Sequence, residues 1–254
     1  LIDVVWPKRI GRRIVGQAMI GHTEIQNAAI GADEKPALVD TLREHISEDG
    51  FPCVGAKSAL ATGRLKVLTA RTLTSAWNDL EIHEALLDWS SAYAEDPSGL
   101  RSLAVVFSGP KDLSEVQFEK AMWERLNSLA AKDGWRGQRY DPQVSSDPAD
   151  PHFSMSFGGK AYFVVGMHPG ASRKARRTPH PTLVFNLHDQ FEALRASQRY
   201  ERMRETILKR DIKLDGSLNP MLSRHGTVSE ARQYSGRAVS KDWACPFSDP
   251  RTKS

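Results

Sequence analysis

The segment richest in reactive side chains is Tyr162-Phe-Val-Val-Gly-Met-His168-Pro-Gly-Ala-Ser172-Arg173-Lys174-Ala-Arg176-Arg177. Its apolar start reads as a buried strand ending at Gly166, which sets His168 where the chain leaves a sheet and side chains line pockets. Pro169 restricts the local φ, and Gly170 permits a sharp turn. Four cations follow within five residues: Arg173, Lys174, Arg176 and Arg177. An imidazole at such a place can ligate iron, and guanidinium forks match paired carboxylates. Haem presents both needs, an axial position and two propionates. Taken alone, a histidine at a strand end is more often a hydrogen-bonded structural residue, and a basic cluster more often a solvated face.

Two cysteines offer a different ligand chemistry. Cys245 lies in Trp243-Ala-Cys-Pro-Phe247, and Cys53 follows Phe51-Pro52. Thiolate ligation supports oxygen activation, but a free cysteine is commonly just a small buried apolar residue. The wide separation of the two fits a reducing compartment better than a disulfide scaffold. With no CxxC or CxxCH present, cysteine-bound zinc and c-type haem attachment are excluded. The other histidines say less. His188 stands at a helix start, His180 between two prolines, His225 in an irregular tail, and His45 and His83 within helices; His22 and His152 read as exposed.

A phosphate loop is nearly spelled by Gly50-Phe-Pro-Cys-Val-Gly55-Ala-Lys57-Ser58. Ala56 displaces the lysine by one position, and a helix rather than a strand precedes the loop, so nucleotide binding is disfavoured. There is no nucleophile elbow, HExxH or EF-hand loop.

These residues must be placed by a modest set of elements. Lys35–Ser47 reads as a helix, with Ala37, Leu38, Leu42 and Ile46 at helical spacing. Gly63–Ala70 contains a short strand. Thr74–Tyr93 reads as a helix with Trp77, Leu80, Ala85 and Trp89 on one face. Leu103–Phe107 is a buried strand. Asp112 with Glu115 signals a capping box for a helix that reaches Ala131, its core stripe Phe118, Met122, Leu126 and Leu129. The proline- and aspartate-rich stretch 141–151 is a loop. Ala161–Val165 and Thr182–Asn186 are further strands. Asp189–Ser197 and Arg199–Lys209 read as two helices, and Asp211–Ser254 as a long irregular tail. Strands and helices do not alternate strictly, which predicts an α+β fold with a mixed or antiparallel sheet. Residues 1–35 read as an irregular arm and 36–254 as a single domain.

The chain has 254 residues, 40% hydrophobic and 26% charged, enough for one core. Its formal net charge of +4 permits anionic partners without demanding nucleic acid. No aromatic residues interleave the basic cluster, which speaks against nucleic-acid binding. No run approaches the roughly 18 apolar residues of a membrane span, and no secretory signal is visible. A cytoplasmic location is the expectation.

Several motifs in order resemble one known family. They are Phe51-Pro-Cys53, Gly166-Met-His168-Pro, the run Arg173 to Arg177, Leu183-Val-Phe-Asn186-Leu-His188-Asp-Gln190-Phe191, Asn219-Pro-Met221, Ser229-Glu-Ala-Arg-Gln-Tyr-Ser-Gly236 and Cys245-Pro-Phe247. Together they resemble the YqcI/YcgG family over roughly residues 36–248. That family includes haem proteins that N-oxygenate guanidines and amines in the pathways to D-cycloserine, guanitoxin and azomycin. The resemblance implies haem b, dioxygen or peroxide as oxidant, an electron donor, and a small guanidine- or amine-containing substrate; a homodimer is compatible with it. It implies His168 as the iron ligand, with Cys245 and Cys53 as alternatives, and Arg173, Arg176 or Arg177 at the propionates. Glu230 is the candidate carboxylate for a guanidinium, with Gln233 and Tyr234 closing the pocket. A haem carrier or sensor without turnover, and a haem-free small-molecule binding module, are the competing expectations.

Overall fold

The computed structural model describes residues 30–31, 34–223 and 226–252. Its centre is the strand β2 (Ser102–Gly109). Leu103, Val105 and Phe107 enter one apolar cluster, while Ala104 and Val106 enter another on the opposite face. Burial on both faces is why this strand is continuously apolar rather than alternating. The sheet has five strands in the order β1-β2-β5-β4-β3, with β1 Leu65–Thr72, β3 Met155–Phe157, β4 Lys160–Met167 and β5 Thr182–Leu187. β1 runs parallel to β2, and the other pairs are antiparallel. The fold is therefore α+β with a mixed sheet, as the order of elements predicts.

Helices cover both faces. α3 (Asp79–Glu95) and α4 (Glu115–Trp135) pack on the side of Val105 and Phe107. α1 (Glu34–Ser47) and α2 (Val54–Ala61) pack on the side of Ala104 and Val106, with α6 (Tyr200–Asp215) touching α2. α5 (His188–Ala196) and the single turn α7 (Ala231–Tyr234) lean on β4. In the larger cluster, Phe118, Trp123, Phe153, Tyr162, Phe185 and Tyr234 are all but inaccessible to solvent. Each such side chain contributes about 1.5–3 kcal/mol relative to an exposed one.

Several local expectations are corrected. The segment after Cys53 forms α2, which the sequence did not signal. Its N-cap is a cysteine, whose Sγ accepts the Ala56 N–H at 3.4 Å, and thiols are not usual capping residues. α3 begins at Asp79 rather than Thr74. Trp77 and Leu80 stay 60% and 55% exposed, and the Arg71 guanidinium lies over the Trp77 ring. Ala85 is buried as expected, with Ile82, Leu86 and Tyr93 beside it, and Trp89 packs against the same cluster. The capping box of α4 is Ser114 with Gln117, not Asp112 with Glu115. Glu115 instead accepts the backbone N–H and hydroxyl of Ser172, at 2.9 and 2.8 Å. The tail is less irregular than its composition suggests, since α6 continues to Asp215 and α7 follows. Of the expected arm at 1–35, only Ile30, Gly31 and the first residues of α1 are described; His22 and His225 also lie outside the described residues.

Candidate functional site

β4 directs alternate side chains to the two layers. Tyr162 and Val164 join the larger cluster, and Val165 and Met167 the smaller one. Gly166 lies on the face of Val164, with Phe118 pressed so close that a Cβ there would meet the ring at 2.8 Å. His168 follows in the same parity. It is 1% exposed and stacks on Phe118, centroids 4.2 Å apart and planes at 14°. Its Nδ1 is buried without a hydrogen-bond partner, and its backbone N–H is held by Arg176 O. Burial lowers its pKa, opposed by the Glu115 charge.

On the other face, between the sheet and the layer of α1, α2 and α6, lies a cavity of about 230 Å³. Phe163, Val165 and Met167 of β4 form its floor, with Cys53 and Ala56 from the start of α2. A second chamber of about 210 Å³ under α5 and α6 shares Phe163, Ile207, Leu222 and Gln233 as walls. Together the chambers reach the usual size of ligand pockets, roughly 300–1,000 Å³. Polar groups are few. Asn186 of β5 accepts a hydrogen bond from its cross-strand partner Ser102 at 2.7 Å, and both border the inner chamber with Asn219.

Cys53 and Arg176 are the titratable pair on the inner chamber, beside the Arg173–Asp211 ion pair that also borders it. Cys53 is a free thiol whose pKa is raised by burial; the amides of Ala56 and Gly55 and the charge of Arg176 work against that rise. Arg176 donates to the carbonyls of Gly166, Tyr234 and Gln233 at 2.9, 3.2 and 3.1 Å. Burial lowers its pKa to about 10, so it stays charged at neutral pH. All three partners are neutral carbonyls. The Arg176 charge acts on Cys53 and is itself acted on by Asp211, which also lines the chamber; it opposes, without overcoming, the burial that raises the thiol's pKa.

The remaining sequence candidates are dispersed around this cavity. Arg173 borders it but pairs with Asp211 at 2.5 Å and Asp215 at 3.3 Å, tying the loop after β4 to the end of α6. Arg177 is exposed and donates to Ala171 O and Ser172 O. Glu230 and Gln233 line the outer chamber. Glu230 accepts the hydroxyls of Ser154 and Tyr234 at 2.6 and 2.7 Å. Tyr234 is buried, and its pKa is raised by burial and by Glu230. Cys245 packs against the larger cluster, where burial pushes its pKa up to about 12. Of the three proposed iron ligands, Cys53 borders a cavity, whereas His168 and Cys245 join the opposite layer. Sequence reading missed Phe163, Met167, Ile207 and Leu222 as cavity walls. The two-residue period of β4 was the available signal, since it separates Met167 from His168.

Of the three proposed ligands, Cys53 is the one with a cavity beside it for a haem. A cysteine that borders apolar walls, accepts the Ala56 N–H and lies within reach of the Arg176 charge would offer haem iron a thiolate once deprotonated, against the burial that raises its pKa. The stacked, core-packed His168 does not offer this. Among the described residues, no three His, Cys, Asp or Glu side chains gather as a metal group, and haem asks for only one axial ligand from the protein. No helix among the described residues is long and apolar enough to cross a membrane.

The fold and cavity define the class first: an α+β protein with helices on both faces of a mixed sheet and a two-chambered internal site. The chain belongs to the YqcI/YcgG family, whose model matches residues 42–248. No curated protein and no solved structure matches it.

Proposed function

We propose that the chain is a haem-dependent N-oxygenase in which Cys53 holds the iron and a guanidine or amine nitrogen is oxidised in the adjoining chamber. The observation that carries this reading is that Cys53 borders a largely apolar cavity also lined by Arg176, whose side chain hydrogen-bonds only to carbonyls and whose charge acts on the thiol. Membership of a family that the ordered motifs tie by resemblance to haem-dependent N-oxygenases supports it. Bound haem supplies activation of dioxygen or peroxide. With dioxygen, one oxygen atom enters the new N–O bond. The other leaves as water, with two electrons and two protons from an electron donor; with peroxide no donor is needed.

The chain's own residues do the rest. The α2 amides and the Arg176 charge oppose the burial that raises the Cys53 pKa, and so ease loss of its proton to a bound metal. Phe163, Ile207 and Leu222 exclude water between the chambers. Glu230, fixed by Ser154 and Tyr234, offers the outer chamber a carboxylate suited to a guanidinium. Two free cysteines agree with a reducing, cytoplasmic setting.

The test is an absorption spectrum after haem reconstitution: ferric, reduced, then with carbon monoxide. A Soret band with the red-shifted carbonyl band of thiolate ligation is expected, lost in Cys53→Ser and kept in His168→Asn and Cys245→Ser. A carbonyl band that shifts only in His168→Asn would return the ligand to His168. A colourless protein would remove the haem reading and favour a haem-free small-molecule module. The inner chamber's modest 230 Å³ is the observation on that side. A Soret band with no oxidised nitrogen product would indicate a carrier or sensor.

A further inference from the structure

Phe51 lines the inner chamber and also a separate, more open cleft of about 420 Å³. The cleft lies between the end of α1, the turn after it, the loop after β4 and the end of α6. Its ionisable walls are His45, Glu48, Lys174 and Arg177, and its flat apolar ones are Phe51, Pro169 and Pro179.

The charge balance favours an anion. Lys174 Nζ donates to Leu214 O at 3.1 Å, and Arg177 uses Nε and Nη2 on the carbonyls of Ala171 and Ser172. Among the described residues neither side chain has a carboxylate partner, and Arg177 Nη1 has no acceptor. Glu48 is the one carboxylate on the wall, 3.4 Å from His45 Nδ1 and 64% exposed. The negative end of α1 is covered as well, because Lys57 Nζ donates to Ser47 O and Glu48 O at 3.2 and 2.5 Å. His45 Nε2 is buried without a hydrogen-bond partner, and its ring meets Phe51 edge-on at 5.2 Å. The volume exceeds what a bare inorganic anion fills, and the ring and prolines suit a planar body.

We infer that this cleft is a second small-molecule site, for a compact organic anion: a carboxylate or phosphate monoester on a flat apolar body. The inference does not depend on the haem reading.

Calorimetric titration of the full chain with phenyl phosphate and with benzoate tests it. Inorganic phosphate isolates the charge, and phenol the body. Saturable one-site binding of either organic anion is expected, at least tenfold tighter than phenol and tenfold tighter than inorganic phosphate. Preference for phenyl phosphate or for benzoate assigns the anionic group. Arg177→Gln and Lys174→Gln should each weaken binding about tenfold, the loss of one charge-assisted contact. Arg177 also ties its loop together, so Lys174→Gln decides if Arg177→Gln folds poorly. Absence of saturation, phenol binding as tightly as the anions, or an unchanged affinity in Lys174→Gln would each overturn the assignment.

Discussion

Gly166→Ala tests whether the wall between the two layers is as tightly set as the geometry indicates. An added Cβ would lie 2.8 and 3.0 Å from Phe118 Cε1 and Cζ and 3.0 Å from Tyr234 O. Carbon atoms prefer about 3.5–4.0 Å, so all three contacts are repulsive. None can yield cheaply. Phe118 is fully buried and stacked on His168, and Tyr234 O is held by Arg176 Nη1. Overpacking of this kind costs about 1–3 kcal/mol. At about 2–4 °C per kcal/mol for a domain of this size, the melting midpoint should fall by about 2–12 °C. Calorimetry measures it, with near-ultraviolet circular dichroism to follow the aromatic stack. Gly50→Ala is the control: a Cβ there meets only Leu214 Cδ1, at 3.8 Å, and its φ is not positive. A Gly166→Ala midpoint equal to that of the wild type, with an unchanged aromatic signal, would refute the close-packing argument.

Two further outcomes are expected. Burial lowers the His168 pKa below its ordinary 6.5. The stability this neutral ring provides is therefore fully present above about pH 6.5 and lost as pH falls towards the lowered value; His168→Phe, which can keep the stack on Phe118, should flatten that acid limb in urea titrations. A slope identical to the wild type would mean His168 is not the group responsible. Arg251 pairs with the inaccessible carboxylates of Asp133 and Asp249, each at 2.6 Å, and Asp133 also meets His83 at 2.8 Å. Arg251→Met strands charge in the core and should cost about 3–5 kcal/mol, read as a lower urea midpoint. A loss under about 1 kcal/mol would place this contact with weak surface pairs.

How much of this was legible in the sequence depends on whether the signal was local. The continuous apolar runs of β2, β4 and β5 marked buried strands, and the spacing of Phe118, Met122, Leu126 and Leu129 marked α4, because burial of a repeating face writes itself into residue order. The ordered motifs likewise carried the family. α2 was not legible, since its cap is a thiol and its eight residues include a glycine. The propionate and solvated-face readings of the basic run could not be separated residue by residue either. Arg173 answers to Asp211 and Asp215, some forty positions away, whereas Arg176 answers only to carbonyls.

The sequence by itself determined the α+β class, the main strands and helices, and the family. Only the tertiary structure decided which reactive side chains share a space. Met167 and His168 are neighbours in the chain, yet the pleat sends them to opposite layers. Cys53 and Arg176 lie more than a hundred positions apart, yet they line one cavity because α2 and the loop after β4 border the same face of the sheet.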